Sequence, residues 1–266
     1  MEFFISPQWR SILQFPGKPL YEAIWNLEGN WVEPPNHRRG GWSGVSRTEL
    51  PAPDGPALVY IKRQENHRRL TLRHPIKGEA TFAREFRIIR YLREHQVPTL
   101  NPLYFGEHDE KGKRQAILMT EALYDYRAFE DMLVDGEFTA LPFQHKRRVL
   151  AALADTVRKM HDAGVQHRSL YPKHLMVKGS EAFEVALIDL EKSRRSLLPL
   201  VYVIRDLSTL NRQTKLLSRS ERLYFFRAYL GVAQLGAYER WLGRWIYGRG
   251  MRKRARAEAL ERREAA

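Results

Sequence analysis

The most informative residues lie between positions 167 and 189, where imidazole, hydroxyl and carboxylate side chains occur close together. The segment 167–175 reads His-Arg-Ser-Leu-Tyr-Pro-Lys-His-Leu, and Asp189 follows His174 by 15 residues, after a short apolar run. An aspartate there offers the hard oxygen that Mg²⁺ prefers, although it could also cap the next turn. The Ser169 hydroxyl is neutral at pH 7, so it could bind phosphate or pass on a proton but could not act as a carboxylate base. These residue types favour the binding of a metal and of phosphate.

The same segment is similar to the catalytic loop of protein kinases, His-Arg-Asp-Leu-x-Pro-x-Asn. It matches at His167, at Arg168 and at the leucine, proline and final aliphatic positions. Ser169 stands where that loop has its catalytic aspartate, and His174 stands where it has its metal-binding asparagine. Because Mg²⁺ prefers oxygen ligands, His174 could bind the metal, contact phosphate directly, or serve only in packing.

The altered loop leaves open whether the chain transfers phosphate. A general base contributes roughly 10²–10⁴-fold to a reaction, whereas phosphoryl transfer depends mainly on positioning and electrostatic stabilisation. A serine in place of the aspartate would therefore slow the reaction without having to abolish it, and Asp162 or Glu191 could supply another carboxylate. Two hypotheses follow: a kinase with an altered base, and a catalytically impaired pseudokinase that binds a nucleotide or a regulatory partner.

A lysine and a glutamate upstream have the spacing of a phosphate-binding pair. Lys62 lies near the end of a predicted strand, where kinases place the lysine that bridges the phosphates. Glu85 follows 23 residues later in a predicted helix and would hold the lysine in line. Glu79, near the start of that helix, is the alternative and could be a capping residue. Without a partner, Lys62 would be an ordinary exposed lysine of a strand.

Two further regions are predicted to contact the nucleotide. Gly40, Gly41 and Gly44 could form a loop whose backbone N–H groups approach phosphate. Their spacing differs from Gly-x-Gly-x-x-Gly, and a plain hairpin turn fits equally well, but we take Gly41 and Gly44 as candidate contacts. Glu121 lies in the connector at 120–123 and is also a candidate cofactor-binding residue.

Asp206 opens a predicted helix that follows the Asp189 segment. A buried carboxylate there would accept backbone N–H bonds from the loop and stiffen it, so we group Asp206 with His167, Arg168 and Ser169 as the candidate catalytic set. The simpler alternative is an ordinary acid near a helix N-terminus, where the helix dipole favours negative charge.

Hydrophobic spacing predicts the elements that must position these residues. Phe82, Phe86 and Ile89 recur on one face of a helix over 79–95, and Gly164 suits the end of a second helix over 143–162. Other predicted elements are strands within 40–66 and at 103–107, 115–119 and 185–189, and helices beyond 199. A β-rich half followed by a mostly helical half is an α+β architecture in two lobes.

These motifs, taken in order, resemble the bacterial lipopolysaccharide kinase family (Kdo/WaaP-like), which has a protein-kinase-like fold. The similarity spans 40–215, and the segments that carry it are 84–98, 165–174, 187–192 and 205–207. Leu-Tyr-Pro-Lys-His at 170–174 is most similar to the InaA-type branch. The resemblance implies ATP and Mg²⁺ as cofactors, and phosphorylation of a sugar hydroxyl of lipopolysaccharide core or a related glycan. Better-known members keep an aspartate at the position of Ser169.

The predicted organisation has four parts. They are an N-terminal extension at 1–39, a nucleotide-binding N-lobe at 40–122, a helical C-lobe with the catalytic loop at 123–237, and a basic aromatic segment at 238–266. The last part carries Trp241 and Trp245 among many arginines. Such a helix could lie on an anionic membrane surface. The favoured alternative is that it packs its tryptophans on the C-lobe and leaves the arginines in solvent.

Composition restricts the class of partner and the compartment. A net charge of +14 favours anionic partners such as a nucleotide, a phosphorylated glycan or an anionic lipid, although an arginine-rich proteome would give the same charge. Nucleic acid is not expected, because no helix-turn-helix or zinc motif is visible. The absence of cysteine favours a reducing compartment. With no secretory signal and no apolar run near the ~20 residues that span a bilayer, we expect a cytoplasmic protein, with peripheral contact at the inner membrane as an option.

Overall fold

A computed structural model of the chain describes residues 3–38, 40–53, 55–66, 68–69, 79–110 and 112–264. The chain forms two compact units, one of Met1–Tyr91 with Leu100–Tyr124, and one of Leu92–Thr99 with Asp125–Ala266. The last change of unit, after Tyr124, falls two residues beyond the boundary predicted at 122. The short return of Leu92–Thr99 to the second unit was not predicted.

The first unit is built on a six-stranded antiparallel sheet of order β1-β7-β8-β4-β3-β2. The strands in this unit are β1 (Phe3–Ile5), β2 (Asn30–Arg38), β3 (Gly41–Leu50), β4 (Ala57–Glu65), the short pair β5 (Arg68–Arg69) and β6 (Glu79–Ala80), β7 (Pro102–Glu110) and β8 (Lys113–Glu121). The helices are α1 (Leu20–Trp25) and α2 (Thr81–Glu94), whose last turn belongs to the second unit.

The segment predicted as an N-terminal extension contributes both edges of this sheet. β1 pairs with β7, and β2 pairs with β3 through two register irregularities. The residues between them cover one face of the sheet, where Trp9, Leu13 and Ile24 share a core with Ile61. β2 was not predicted because it contains two consecutive prolines. Proline has no backbone N–H to donate to a neighbouring strand, so it is tolerated mainly in edge strands.

The central strand β4 and the helix α2 position the first set of candidate residues. Neighbouring strands β3 and β8 hold β4 on both sides, and alternation along the strand sends Ile61 and Lys62 to opposite faces. The Phe86 ring of α2 stacks on Phe105 of β7, with 4.5 Å between the ring centroids. The helix is thereby packed on the face of the sheet that Lys62 shares.

The second unit is mostly helical, so the predicted α+β architecture is confirmed. Its helices are α3 (Phe129–Val134), α4 (Glu137–Ala140), α5 (Phe143–Asp162), α6 (Pro199–Gln213), α7 (Arg219–Leu230) and α8 (Ala237–Glu264). Its strands are β9 (Arg127–Ala128), β10 (Val165–Gln166), β11 (Leu175–Lys178), β12 (Glu184–Leu187) and β13 (Arg194–Arg195). Among the described residues, no helix combines the length and apolar character that crossing a bilayer requires.

Helix α5 leads into the candidate loop. It has the predicted bounds and buries Leu150, Leu153 and Val157. Gly164 follows with φ of 73° and donates its N–H to the His161 carbonyl. A left-handed residue of this kind ends a helix at low cost when it is glycine. The chain then turns into β10 and the loop that begins at His167.

Helix α8 differs from the favoured prediction that its tryptophans pack on the C-lobe. The buried side chains are Leu242 and Ile246, whereas Trp241 and Trp245 are 39% and 49% exposed. The Ile246 carbonyl accepts a hydrogen bond of 3.0 Å from the Ser208 hydroxyl, which fixes α8 on α6. Leu242 and Ile246 therefore form the face of α8 that packs on the rest of the unit, and the two indoles lie on the more exposed side. The side chains of Lys253, Arg254 and Arg256 lie outside the described residues.

Candidate functional site

Lys62 and Glu85 form an ion pair inside the first unit. The Nζ atom of Lys62 lies 2.7 Å from Oε1 of Glu85, and the glutamate side chain is fully buried while that of the lysine is 17% exposed. A buried carboxylate requires a charged or hydrogen-bonding partner. The pair therefore fixes the lysine, which lies in the interior of β4 and not at the predicted strand end, with part of its side chain accessible. The side chain of the alternative, Glu79, lies outside the described residues.

The glycines at 40–44 belong to the hairpin between β2 and β3. Gly40 has φ of 75° in the turn. A Cβ atom at Gly41 would lie 2.5 Å from the backbone of Glu65 and Asn66, and one at Gly44 would lie 2.9 Å from the Trp31 indole. Packing within the hairpin and its neighbours thus accounts for both residue types. Contact of these glycines with phosphate stays a prediction.

The Glu121 carboxylate is held within the first unit. Its Oε2 accepts a hydrogen bond of 2.8 Å from the Asn101 amide. The Glu121 N–H also donates to the Asn101 carbonyl at 3.0 Å. Both bonds order the end of β8, and a role of Glu121 in nucleotide binding stays a prediction.

Asp206 fixes the backbone of the candidate loop in the second unit. Its carboxylate accepts from the N–H of His167 at 2.7 Å and from the N–H of Arg168 at 3.0 Å. Arg168 has φ of 68°, in the left-handed region that costs a non-glycine residue free energy. The two charge-assisted bonds hold this conformation, so Asp206, buried on α6, acts on the loop backbone and positions it.

Sequence reasoning missed the residues that orient Asp206. His161 Nε2 lies 3.4 Å from Asp206 Oδ2, and because a carboxylate only accepts, the histidine donates. His161 Nδ1 lies 2.8 Å from the Tyr229 hydroxyl, and the Tyr202 hydroxyl donates to the His161 carbonyl at 2.8 Å. These tyrosines come from α6 and α7, which no local pattern in the sequence connects to the loop.

His167 is a buried positioning residue. Its Nε2 donates to the Ile188 carbonyl at 3.1 Å and so ties the loop to the residue before Asp189. Burial lowers the pKa of His167 to about 4, because the charged form of a buried imidazole is disfavoured. The ring is therefore neutral near pH 7 and does not serve as a cationic contact for phosphate.

His174 and Asp189 face each other in the second unit. His174 Nε2 lies 3.2 Å from Asp189 Oδ2, and the aspartate side chain is 37% exposed. His174 Nδ1 lies 2.7 Å from the Ser169 carbonyl, which only accepts, so this nitrogen carries the proton. Burial lowers the pKa of His174, with the Asp189 carboxylate opposing that shift. In the neutral ring Nε2 is then an acceptor that faces another acceptor.

The rest of the loop gives no third ligand for a metal. No group of three or more His, Asp or Glu side chains that could hold a metal ion occurs within the described part of the chain. Ser169 is buried, at 3% exposure. Asp162, one alternative for a base, lies on the surface of α5 and pairs with Arg158 at 3.6 Å. Glu191, the other, lies in the 3₁₀ turn Leu190–Lys192 that follows Asp189.

Comparison with known proteins gives the same family as the loop motifs. The sequence profile of the lipopolysaccharide kinase (Kdo/WaaP) family matches residues 22–229. Protein InaA of Escherichia coli K12 is 34% identical over 174 residues, which are 65% of this chain and 78% of InaA. Lipopolysaccharide core heptose(I) kinase WaaP of Pseudomonas aeruginosa is 30% identical over 228 residues, 80% of this chain and 81% of WaaP.

A solved structure supports the fold. WaaP in complex with acyl carrier protein superposes with a TM-score of 0.71 over 95% of this chain and 99% of that one, at 23% sequence identity. The family profile covers most of the chain, including β3, β4, α2 and the loop from His167 to Asp189. The chain therefore belongs to the lipopolysaccharide kinase (Kdo/WaaP) family.

Proposed function

We propose that the chain is an ATP-dependent kinase that phosphorylates a sugar hydroxyl of lipopolysaccharide core or a related glycan. Membership of the family supports a phosphotransferase. The observation that carries the proposal is the facing pair of His174 and Asp189, whose close nitrogen and oxygen atoms could hold a cation between them. Lys62, held by Glu85, would contact phosphate oxygens of the nucleotide.

The residues fit a divalent metal ion. His174 Nε2 and Asp189 Oδ2 are separated by 3.2 Å, so both atoms could hold the same cation. Asp189 supplies the carboxylate that Mg²⁺ prefers, and the imidazole makes Mn²⁺ an acceptable alternative. The bound metal would neutralise phosphate charge during transfer. The protein's own contribution is to hold these two side chains, through the Ser169 carbonyl and the loop that Asp206 orders.

The Ser169 position sets the balance between a slow kinase and a pseudokinase. The hydroxyl of Ser169, a buried residue of the loop, could orient an acceptor hydroxyl but cannot take up its proton as a carboxylate does. Catalysis would then rest on positioning and on charge neutralisation by Lys62 and the metal. The pseudokinase alternative retains nucleotide binding and lacks transfer.

The test is transfer of radiolabelled phosphate from γ-³²P-ATP to dephosphorylated core oligosaccharide. We expect slow labelling that Asp189→Asn abolishes, and Ser169→Asp is expected to raise the rate by roughly 10²-fold or more. A wild-type protein that binds ATP but labels no acceptor above the Asp189→Asn background would contradict the kinase proposal and favour the pseudokinase.

An apolar cavity in the second unit favours a protein partner as well. The cavity has a volume of about 180 Å³, and its lining includes Leu153, Leu207, Phe226 and Ile246. An apolar cavity of this kind suits a hydrocarbon chain rather than a nucleotide or a sugar. Because a relative of this fold was solved in complex with acyl carrier protein, we propose that this chain binds an acylated carrier protein.

A basic pocket adjoins this cavity and suits the acidic surface of such a carrier. The pocket has a volume of about 620 Å³, and Arg212, Lys215, Arg219 and Arg222 line it. Arg222 and Tyr247 line both spaces, so they join the apolar cavity to the cationic pocket. The site is thus amphipathic, with positive charge beside an apolar interior.

Binding of hexadecanoyl carrier protein and of the unacylated carrier would test this partner. We expect tighter binding of the acylated form, and a strong loss of affinity in Arg219→Glu, because a reversed charge repels an acidic surface. Arg10→Glu, an exposed arginine of the first unit, is the matched control. Equal affinity for the two carriers would overturn the role of the cavity.

The outer face of α8 supports peripheral membrane contact. Tyr238, Trp241 and Trp245 are exposed there beside exposed Arg240 and Arg244. Aromatic and cationic side chains on one helix bind anionic lipid surfaces. We expect sedimentation with phosphatidylglycerol vesicles but not with phosphatidylcholine vesicles, and its loss when both tryptophans are replaced by alanine. Equal binding of the double variant would refute this contact.

A further inference from the structure

A second cavity lies on the first unit, apart from Lys62 and Glu85. It has a volume of about 1090 Å³, and α1, β2, β3 and β4 contribute its lining. Typical ligand pockets have volumes of about 300–1,000 Å³, so this cavity has room for a ligand of several rings. None of the residues given a role in phosphotransfer lines it.

Three tryptophans form the aromatic part of the cavity. Trp25 of α1 and Trp42 of β3 lie with ring centroids 5.6 Å apart and planes tilted by 57°. Trp31 of the edge strand β2 is 47% exposed. Its indole lies over Gly44 of the neighbouring strand, where a Cβ atom would come within 2.9 Å of the ring. The glycine thus allows the indole to lie across the sheet with one face accessible.

A buried arginine forms the polar floor. Arg63 is 4% exposed, and its guanidinium donates to the Ser46 hydroxyl at 2.6 Å and to the carbonyls of Leu27 and Ile24 at 2.6 and 3.1 Å. Its buried Nε–H has no acceptor within the described residues. A buried donor without a partner costs free energy, and because this atom has almost no accessible surface, the role of Arg63 is to hold the lining together through its other bonds.

The charges of the lining distinguish this cavity from the rest of the chain. Glu28 and Glu49 balance Arg47 and Arg63, so the lining has no net formal charge, whereas the whole chain carries +14. A balanced lining gives no advantage to a phosphorylated or otherwise anionic ligand. Side-chain amides such as Asn30 add donors and acceptors next to the tryptophans.

We propose that this cavity binds the uncharged pyranose rings of an oligosaccharide. The axial C–H groups of a pyranose ring pack on an indole face, and its hydroxyls match carboxylate, amide and guanidinium groups. Trp31 offers the exposed stacking face, and the exposed side chains of Asn30, Glu28 and Glu49 offer partners for hydroxyls. The site needs neither nucleotide nor metal, so glycan binding here does not depend on phosphotransfer.

The proposal is tested by calorimetry in the absence of ATP, with two probes. The probes are maltohexaose and dephosphorylated core oligosaccharide of lipopolysaccharide. We expect at least the core oligosaccharide to bind, with an affinity that changes little between low and high salt, because stacking and neutral hydrogen bonds are weakly screened. Binding of both probes would show a general pyranose site, and binding of the core alone would show a selective one.

Matched variants locate the site. Trp31→Ala should weaken the binding about tenfold, as loss of an aromatic anchor does, and Asn30→Ala should weaken it less. Trp245→Ala is the control, because Trp245 is 49% exposed and lies on α8. Asp189→Asn should leave saccharide binding intact. Failure of both probes to bind, or equal binding by Trp31→Ala, would overturn the proposal without affecting the proposed kinase activity.

Discussion

His174 Nε2 lies 3.2 Å from the Asp189 carboxylate, while its other ring nitrogen donates to the Ser169 carbonyl. Two acceptors in contact repel unless a proton or a cation lies between them. If the proposed metal lies between them, His174 takes the place of the metal-binding asparagine of kinases, and the metal preference of the chain tests this assignment.

The first prediction concerns metal selectivity. An imidazole ligand favours Mn²⁺ relative to Mg²⁺, whereas an amide oxygen restores the preference for hard cations. We therefore expect wild-type protein to bind ATP more tightly with Mn²⁺ than with Mg²⁺, and His174→Asn to reduce this ratio. Titration of ATP with each metal measures it. If the ratio of ATP affinities with Mn²⁺ and Mg²⁺ is the same in both proteins, His174 is not a metal ligand.

The second prediction is a pH dependence of stability from His167. Its folded pKa of about 4 lies below the ordinary value of 6.5, so the unfolded chain binds more protons between these two values. Stability therefore falls as the pH drops below 6.5. Between pH 7 and pH 5 wild type should lose about 2 kcal/mol more than His167→Gln, which keeps a donor for the Ile188 carbonyl.

Urea denaturation at several pH values measures this difference. The comparison of the two proteins cancels the titration of all other groups. Identical pH profiles for wild type and His167→Gln would show that His167 titrates in the folded state much as it does in the unfolded chain.

The third prediction separates Lys62 from other lysines of the first unit. Lys62→Met should weaken ATP binding by at least about tenfold, because a charge-assisted bond to phosphate is lost. Glu85→Gln should weaken it less, since the lysine remains but is held less firmly. The control is Lys113→Met, whose side chain is 66% exposed. Equal loss in Lys62→Met and Lys113→Met would indicate a general charge effect.

The fourth prediction tests the buried contacts that orient Asp206. Tyr229→Phe removes the hydroxyl that lies 2.8 Å from His161 and should cost about 1 kcal/mol of unfolding free energy. The backbone N–H groups of His167 and Arg168 donate hydrogen bonds to Asp206, and their hydrogens should then exchange faster with solvent. Tyr238→Phe, at a position 58% exposed, should change neither quantity. If these amide hydrogens exchange at the same rate in Tyr229→Phe as in wild type, the Tyr229 hydroxyl on α7 does not stabilise the loop.

Elements with a strong local sequence pattern were predicted correctly. Elements whose structure depends on contacts with distant parts of the chain were not. Helix α5 has its predicted bounds because its apolar residues recur at helical spacing and a glycine ends it. β2 was missed because Pro34 and Pro35 contradict a strand, and only its edge position permits them. The packing of α8 differed because Leu242 and Ile246, four residues apart, lie on its buried face, whereas Trp241 and Trp245 do not.

The same distinction holds for the candidate site. Asp189, His174 and Lys62 were predicted because short motifs place them beside strands or turns. Their roles were less accessible: burial makes His167 a positioning residue, and the tautomer of His174 depends on the Ser169 carbonyl. Tyr229 contacts His161 although the two residues are 68 positions apart in the chain, and no local sequence pattern predicts such a contact.

The measurement that tests the central claim most directly is the thermal unfolding midpoint of wild type and Asp189→Asn, with ATP alone and with ATP plus Mg²⁺ or Mn²⁺. A ligand at 100 times its Kd that binds only the folded state adds about 2.7 kcal/mol of stability, which is readily seen. We predict a metal-dependent rise in the midpoint of wild type that Asp189→Asn loses. The same rise in both proteins, or none in wild type with any metal, would contradict the assignment of Asp189 to a metal–nucleotide site.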